Sequence, residues 1–191
     1  SLPETQRGGS RTTAFLAFKL HRFISGAGEV FTTLTERPRR VLFEGQLEDP
    51  EAPGNRLYPT RFCRECGHDV HVVAKSDAND GALFLPRNID DTPIEDQDRD
   101  IAGYLTPTGA GDPDYAFTGE VETYPEDWRE ERNGFERLRA NRKSRAPQLV
   151  AVSPDGRYHP SGKSFWFIPG RFGFCPCCLD QPHPSMRERS K

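Results

Sequence analysis

The sequence predicts an α+β fold in which short antiparallel strands and cysteine-bearing turns surround one tetra-cysteine site. Two cysteine pairs with the same C-x-x-C spacing, Cys63/Cys66 and Cys175/Cys178, lie far apart in the chain. Short apolar runs flanked by turn residues predict strands, and 17 glycines and 17 prolines among 191 residues predict many loops. One segment near the N-terminus has helical periodicity instead. These observations predict a small domain held together at its cysteines.

The four outer cysteines predict one tetrahedral zinc site. A C-x-x-C turn places two thiolates so that both bind one ion at about 2.3 Å, and two such turns complete a four-coordinate shell. The spacer, residues 67–174, is longer than in the usual zinc ribbon. Loop closure still costs only logarithmically more with length. Four cysteines leave no open position for a substrate, so we predict a structural zinc ion.

Other assignments of the cysteines stay open from the sequence. The pairs could be separate redox-active or free thiols, or disulfides, although five cysteines is an odd number. Cys177 lies between two predicted ligands, and we expect it to be a free thiol. Three histidines near the pairs could replace a ligand: His68, His71 and His183.

Apolar periodicity predicts the order of the elements. Residues 13–25 have apolar side chains every three or four positions, which predicts an amphipathic helix that Gly26 ends. Residues 29–35 and 39–45 predict a hairpin. Further strands are predicted at 57–63, 68–75, 82–86, 101–106, 148–152, 157–159 and 164–168. We expect the strands that leave the first pair and enter the second to be sheet neighbours, because one ion would bind both turns.

We interpret residues 1–191 as a single zinc-binding domain and residues 88–147 as a loop-rich excursion between the pairs. The carboxylates at 90–100 are typical of a solvated loop. Residues 126–132 and 135–142 have helical composition, and the second run opens a basic cluster: Arg137, Arg139, Arg142, Lys143 and Arg145. This cluster could bind a phosphate backbone, helped by Arg187 and Arg189, or be a solvated face balanced by nearby glutamates.

Composition and missing motifs exclude several function classes. The net charge of −3 does not by itself require nucleic acid or membrane, and no apolar run is long enough to span a bilayer. We find no signal peptide and expect a cytoplasmic protein. Phosphate-loop, zinc-protease, nucleophile-elbow and dinucleotide-binding motifs are missing from the sequence. This chain alone is therefore not expected to be an enzyme.

Three stretches of the sequence resemble a known family. Residues 18–26 (FKLHRFISG), 62–67 (FCRECG), and 174–178 (FCPCC) with the basic 187–191 are similar to the cysteine-bearing insertion of large bacterial DEAD/DEAH-box helicases. Some members, the DISARM-type helicases, serve anti-phage defence. The resemblance implies an accessory zinc domain beside ATP-binding motor domains. Leu179 stands where a glycine would follow the last cysteine, so the second turn departs from the pattern.

Three functions compete on these grounds. The first is an accessory zinc domain of an ATP-dependent helicase that binds single-stranded or duplex DNA or a partner protein. Ser1 and the basic last five residues lead us to expect a segment of a larger protein. The second is a stand-alone zinc-ribbon protein-interaction module. The third is a thiol redox protein, which would need a βαβ context that the sequence lacks.

Overall fold

Antiparallel strands dominate the architecture. The computed structural model describes residues 30–35, 39–43, 45–78, 81–88, 100–109 and 112–181. The predicted helix at 13–25 lies outside these residues. The strands are β1 (Val30–Thr33), β2 (Val41–Leu42), β3 (Leu57–Phe62), β4 (Asp69–Ala78), β5 (Gly81–Pro86), β6 (Ile101–Pro107), β7 (Arg129–Arg132), β8 (Phe135–Leu138), β9 (Gln148–Val152) and β10 (Lys163–Pro169). Short 3-10 turns occupy Val121–Thr123, Glu126–Trp128 and Ala140–Arg145.

Eight strands form one sheet, in the order β2-β1-β3-β4-β6-β10-β9, with every pair antiparallel. β5 pairs with the second half of β4, on the side where β3 pairs with the first half. One isolated bridge joins Leu83 of β5 to Arg157, and another joins Val152 of β9 to the adjacent Tyr158. The sheet therefore curls back towards its own edge and encloses one of the two cores.

The predicted fold class of short antiparallel strands gathered around the cysteines is confirmed. The hairpin of β1 and β2 forms as predicted, and β3 and β4 flank the first cysteine pair. β5, β6, β9 and β10 occupy the predicted positions within one or two residues. The predicted strand at 157–159 makes only isolated bridges. Residues 88–147 contain the central strand β6 and the separate hairpin of β7 and β8.

The helical interpretation of 126–132 and 135–142 is wrong. β7 and β8 form a two-stranded hairpin there, between 3-10 turns. Asn133 and Gly134 have φ values of 56° and 78°, the pair of left-handed residues that a tight two-residue hairpin turn requires. The charge pattern that suits a helix also suits a hairpin, because oppositely charged residues face each other across the two strands. Arg137, for example, lies 2.7 Å from Glu130. The Asn-Gly pair decides between the two structures.

The expected adjacency of the strands next to the two cysteine pairs is also wrong. β6 lies between β4 and β10 and pairs with both. β10 starts at the end of the strands where the first cysteine pair lies, since Phe165 is opposite Pro107. From there it runs away from the first pair. Residues 170–174 then return over the sheet to Cys175, with Phe172 against the ring of Tyr104 at 5.5 Å. The second pair thus reaches the first by this return segment, without its strand being a neighbour.

Alternation along β10 separates two cores. Phe165 and Phe167 face the enclosed core, whose other buried members are Leu34, Tyr58, Val73, Phe84, Leu105 and Val152. Trp166 faces the opposite side and joins the aromatic core, which consists of Phe117, Tyr124, Trp128, Trp166 and Phe174. Ring centroids in the aromatic core are 4.8 to 5.9 Å apart in mostly edge-to-face pairs. Phe174 directly precedes Cys175, so this core positions the second cysteine pair.

A buried histidine lies in the enclosed side of the sheet. His71 is 1% exposed, and its Nδ1 lies 3.0 Å from the Thr60 hydroxyl and 3.3 Å from that of Thr32. Thr60 donates its one hydroxyl proton to the Tyr58 carbonyl at 2.8 Å. Nδ1 of His71 is therefore the donor to Thr60. Burial lowers the pKa of His71 to about 3.

We predict that this histidine makes the fold sensitive to mild acid. Its folded pKa of about 3 lies below the unfolded value, so the unfolded state binds a proton first as the pH falls. The contribution is fully present above about pH 6.5 and is lost at about 1.4 kcal/mol per pH unit below it. Urea unfolding at about pH 7 and about pH 5 should show a loss of roughly 2 kcal/mol from this residue.

The matched comparison is His71→Gln against His159→Gln, which removes an exposed imidazole. The pH dependence of the unfolding free energy should flatten only in His71→Gln. An equal pH dependence in wild type and His71→Gln would contradict the assignment. Metal content is measured at both pH values, so that acid release of a metal is recognised separately.

Candidate metal centre

The first cysteine pair lies in a tight turn, the first knuckle (63–68), between β3 and β4. The Cys63 N–H donates to the His68 carbonyl at 2.8 Å, and the Gly67 N–H donates to the Cys63 carbonyl at 2.9 Å. Gly67 has φ +75°, in the left-handed region that glycine adopts without steric cost. The sequence C-x-x-C-G therefore folds locally into a tight hydrogen-bonded turn that carries both sulfurs.

The second knuckle (175–180) repeats the first bond for bond. The Cys175 N–H donates to the Asp180 carbonyl and the Leu179 N–H donates to the Cys175 carbonyl, both at 2.8 Å. Leu179 has φ +60° at the position equivalent to Gly67. A non-glycine residue there costs about 1–2 kcal/mol. Leu179 packs against the aromatic core, which offsets that cost and explains why this turn does without a glycine.

The structure brings the four predicted cysteines together. The sulfurs of Cys63, Cys66, Cys175 and Cys178 all lie within 4.8 Å of one another. Two of the contacts that join the knuckles, Cys63 to Cys178 and Cys66 to Cys175, are 3.7 Å. A tetrahedron with metal–sulfur bonds of about 2.3 Å has edges of about 3.8 Å. Disulfide sulfurs would be about 2.05 Å apart, so these contacts fit a shared metal ion and not a disulfide.

Backbone N–H groups point at the sulfurs with the same pattern in both knuckles. They belong to Glu65 and Cys66 for Cys63, to His68 for Cys66, to Cys177 and Cys178 for Cys175, and to Asp180 for Cys178. Each of these donors favours the thiolate form of the sulfur that it faces. The equivalence of the two turns thus extends to the electrostatics of the site.

Without a metal, burial and the charge of thiolates already formed oppose the ionisation of all four sulfurs at once. Burial is the largest cause of the raised pKa of Cys175 and of Cys178, the latter to about 11. At Cys63 burial acts in the same direction, but backbone N–H groups and neighbouring thiols outweigh it and lower the pKa. Four adjacent thiolates therefore need a cation among them, and a tetrahedral set of four sulfurs suits zinc or iron. Binding it would release protons.

Cys177, His68 and His71 are not ligands of this cluster. Cys177 is not among the four sulfurs; its backbone carbonyl accepts the Ala116 N–H at 2.9 Å. His68 Nε2 lies 3.0 Å from the Pro107 carbonyl oxygen, and His71 is buried beside the hydroxyls of Thr32 and Thr60. His183 lies outside the described residues. Of the histidines that the structure describes, neither His68 nor His71 joins the four sulfurs.

Sequence reasoning missed the segment that supports the second knuckle. The Ala116 and Phe117 N–H groups donate to the carbonyls of Cys177 and Pro176 at 2.9 and 3.0 Å. Tyr115 Oη donates to the Pro107 carbonyl at 3.1 Å, and its ring contacts that of His68 at 5.4 Å. These residues connect both knuckles to the end of β6. No local motif marks them, because their partners are more than forty residues away or belong to the backbone.

The basic cluster lies on the hairpin of β7 and β8 and on the 3-10 turn that follows it. Arg137 pairs with Glu130 at 2.7 Å and Arg142 with Asp127 at 2.8 Å. The Arg142 guanidinium also lies 5.2 Å from the centre of the Trp128 ring. Arg139 Nε donates to the Arg129 carbonyl at 2.9 Å. Lys143 and Arg145 are exposed on the turn. Binding of nucleic acid by this cluster stays a prediction.

No protein-family model, curated protein or solved structure matches the chain. The relationship to helicase insertions therefore stays a prediction that depends on the three stretches of sequence. Of these, the structure describes 62–67 and 174–178, and both are the knuckles of the sulfur cluster.

Among the described residues, no helix is both long enough and apolar enough to cross a bilayer.

The left-handed position of the first knuckle gives a testable prediction. Gly67→Ala should lower the free energy of unfolding by about 1–2 kcal/mol, because alanine is strained at φ +75° although no atom lies within 4 Å of its Cβ. Gly45→Ala is the matched control, since an added Cβ meets only Phe31 at 4.0 Å. Chemical denaturation of both variants measures the difference. Equal stabilities would show that the first knuckle does not depend on a glycine.

Proposed function

We propose that this chain is a structural zinc-binding domain that serves as an accessory part of an ATP-dependent nucleic-acid helicase or translocase. The observation that carries the proposal is the closed cluster of four cysteine sulfurs, drawn from two equivalent knuckles more than a hundred residues apart. A shell completed by four protein sulfurs has no position for a substrate or a reactive water. The metal's role in this proposal is to stabilise the fold.

Zinc is favoured by the chemistry of the donor set and by the architecture around it. Four thiolates in closed tetrahedral arrangement are typical of structural zinc sites. The two knuckles belong to different parts of the fold, one on the curled sheet and one on the aromatic core. A single ion would therefore cross-link them. The reducing cytoplasm, where thiols are kept free to bind metal, is the compartment that this proposal implies.

The connection to a motor protein is supported by the resemblance at the two knuckles and at residues 18–26. ATP binding would belong to the motor domains, because this sequence has no phosphate-binding loop. Anti-phage defence belongs to the same proposal, through the DISARM-type members of the family. A stand-alone zinc-ribbon interaction module is the alternative. The reading frame of the parent gene separates them, since motor motifs on either side of this segment support the first and a frame of about this length supports the second.

Elemental analysis is the direct test of the metal. Freshly purified, untagged protein should contain one zinc per chain. Cys63→Ser and Cys175→Ser should each lose most of this zinc and unfold at lower denaturant concentration, because binding a structural metal contributes folding free energy. Less than about 0.2 zinc per chain in the wild type would overturn the assignment.

Cys177→Ser is the matched control for these ligand variants. It removes a thiol from the same turn that contacts Cys66 but is not one of the four clustered sulfurs. We expect its zinc content and stability to equal those of the wild type. Loss of zinc in Cys177→Ser together with its retention in Cys175→Ser would exchange the two cysteines in the assignment.

Removal of the metal should loosen the aromatic core more than the sheet. A chelator breaks the link at the second knuckle, whose neighbours are Phe174 and the segment around Phe117. Hydrogen exchange should therefore accelerate most at 115–128 and 170–181, and less in β4 and β6 at the centre of the sheet. Uniform acceleration over all these segments would indicate global unfolding, and no change would contradict a structural metal.

A further inference from the structure

The tip of the hairpin of β7 and β8 exposes a large aromatic side chain. Phe135 is 76% exposed, the largest value among the exposed large apolar residues that the structure describes. Residues directly opposite in an antiparallel hairpin share a face, and Phe135 is opposite Arg132 while Arg137 is opposite Glu130. We call these four residues the outer face of the hairpin. Leu138 belongs to the other face and packs against the aromatic core.

The base of the hairpin is held rigidly. Trp128, directly before β7, is 1% exposed in the aromatic core and contacts Phe174 at 5.0 Å. The Arg139 N–H donates to the Trp128 carbonyl at 2.9 Å. Asp127 accepts from Arg142 at 2.8 Å and from Gln181, one residue beyond the second knuckle, at 2.6 Å. The base of the hairpin therefore contacts the aromatic core and the residue that follows the second knuckle. The two strands of the hairpin pair with no other strand that the structure describes.

The outer face has a net positive charge, because its one ion pair is neutral and one arginine remains. Glu130 is matched by Arg137 at 2.7 Å. Arg132 is exposed and forms no ion pair with another described residue, which leaves one guanidinium beside Phe135. Exposed Lys143 and Arg145 follow on the adjoining turn. The outer face therefore offers an aromatic ring next to cationic groups although the whole chain is acidic, with a net charge of −3.

We infer that the outer face of the hairpin binds single-stranded nucleic acid, with an unpaired base stacked on Phe135 and a backbone phosphate at Arg132. Aromatic rings beside cations are the sequence-independent means of binding single strands, because every base has a face that can stack. A protein partner would need an apolar centre within roughly 800 Å² on each side, and one ring among charged side chains does not supply it. A duplex would leave the ring without an unpaired base.

This inference deepens the proposed function and rests on it, since it names the surface by which the domain would contact nucleic acid. The experiment uses the full, metal-loaded chain and a fluorescein-labelled oligothymidylate of about twenty nucleotides at low salt. Anisotropy titration compares the wild type with Phe135→Ala and Arg132→Glu. The matched controls are Leu149→Ala, which removes an apolar side chain that is 63% exposed, and Arg61→Glu on β3, which reverses another exposed charge.

We expect Phe135→Ala to weaken binding by about five- to a hundredfold, the range that loss of one stacked base implies. Arg132→Glu should weaken binding and reduce the dependence of log affinity on log salt by about 0.7, one phosphate's share on a single strand. Leu149→Ala and Arg61→Glu should bind like the wild type. A duplex of the same length should bind more weakly than the single strand and be indifferent to Phe135→Ala.

Three results would overturn the inference. Equal affinity of the wild type and both hairpin variants would show that the outer face does not contact nucleic acid. Tighter binding of the duplex than of the single strand would show that the protein contacts the phosphate backbone without stacking on a base. No binding by the wild type at low salt would leave the exposed ring for a protein partner. Zinc content, measured in the same samples, separates these results from failure of the metal proposal, which would show as metal-free protein.

Discussion

The fold depends on bringing two short turns from distant parts of the chain to a single point. The first knuckle lies between two paired strands, so its position follows directly from the sheet. The second knuckle has no such support, because β10 runs away from the sulfur cluster and the chain must return over five residues to reach it. The two knuckles meet at the four sulfurs, which lie within 4.8 Å of one another. In our account a metal ion holds them there, because all four sulfurs can be thiolates side by side only with a cation among them.

The aromatic core makes the return possible. Its residues come from the sheet, from the 3-10 turns and from Phe174 next to Cys175, so it holds the return segment against the face of the sheet opposite the enclosed core. It also explains the local exception at Leu179, whose left-handed backbone is strained but whose side chain packs on that core. Packing on one side of the second knuckle and, in our account, metal binding on the other therefore stabilise the same turn. The hairpin shares this support through Trp128.

The cysteine spacing and the short apolar runs were sufficient to predict the strands of the large sheet and the four cysteines of the cluster. C-x-x-C turns are local, and strands such as β6 and β10 have apolar residues in short runs between turns. The order of strands was not predictable in the same way. Nothing near Cys175 in the sequence indicates that β6 separates β4 from β10, because that order follows from the long-range pairing of Thr106 with Trp166 and of Tyr104 with Val72. The charge pattern at 129–137 suited helix and hairpin equally, and only Asn133-Gly134 distinguished them.

The central claim is that one zinc ion is bound by four sulfurs from both knuckles. X-ray absorption at the zinc edge of the purified chain tests it most directly, because the spectrum reports the identity, number and distance of the ligand atoms. The account predicts four sulfur scatterers at about 2.3 Å and no nitrogen or oxygen in the first shell. A first shell containing nitrogen or oxygen at about 2.0–2.1 Å, with fewer than four sulfurs, would contradict it.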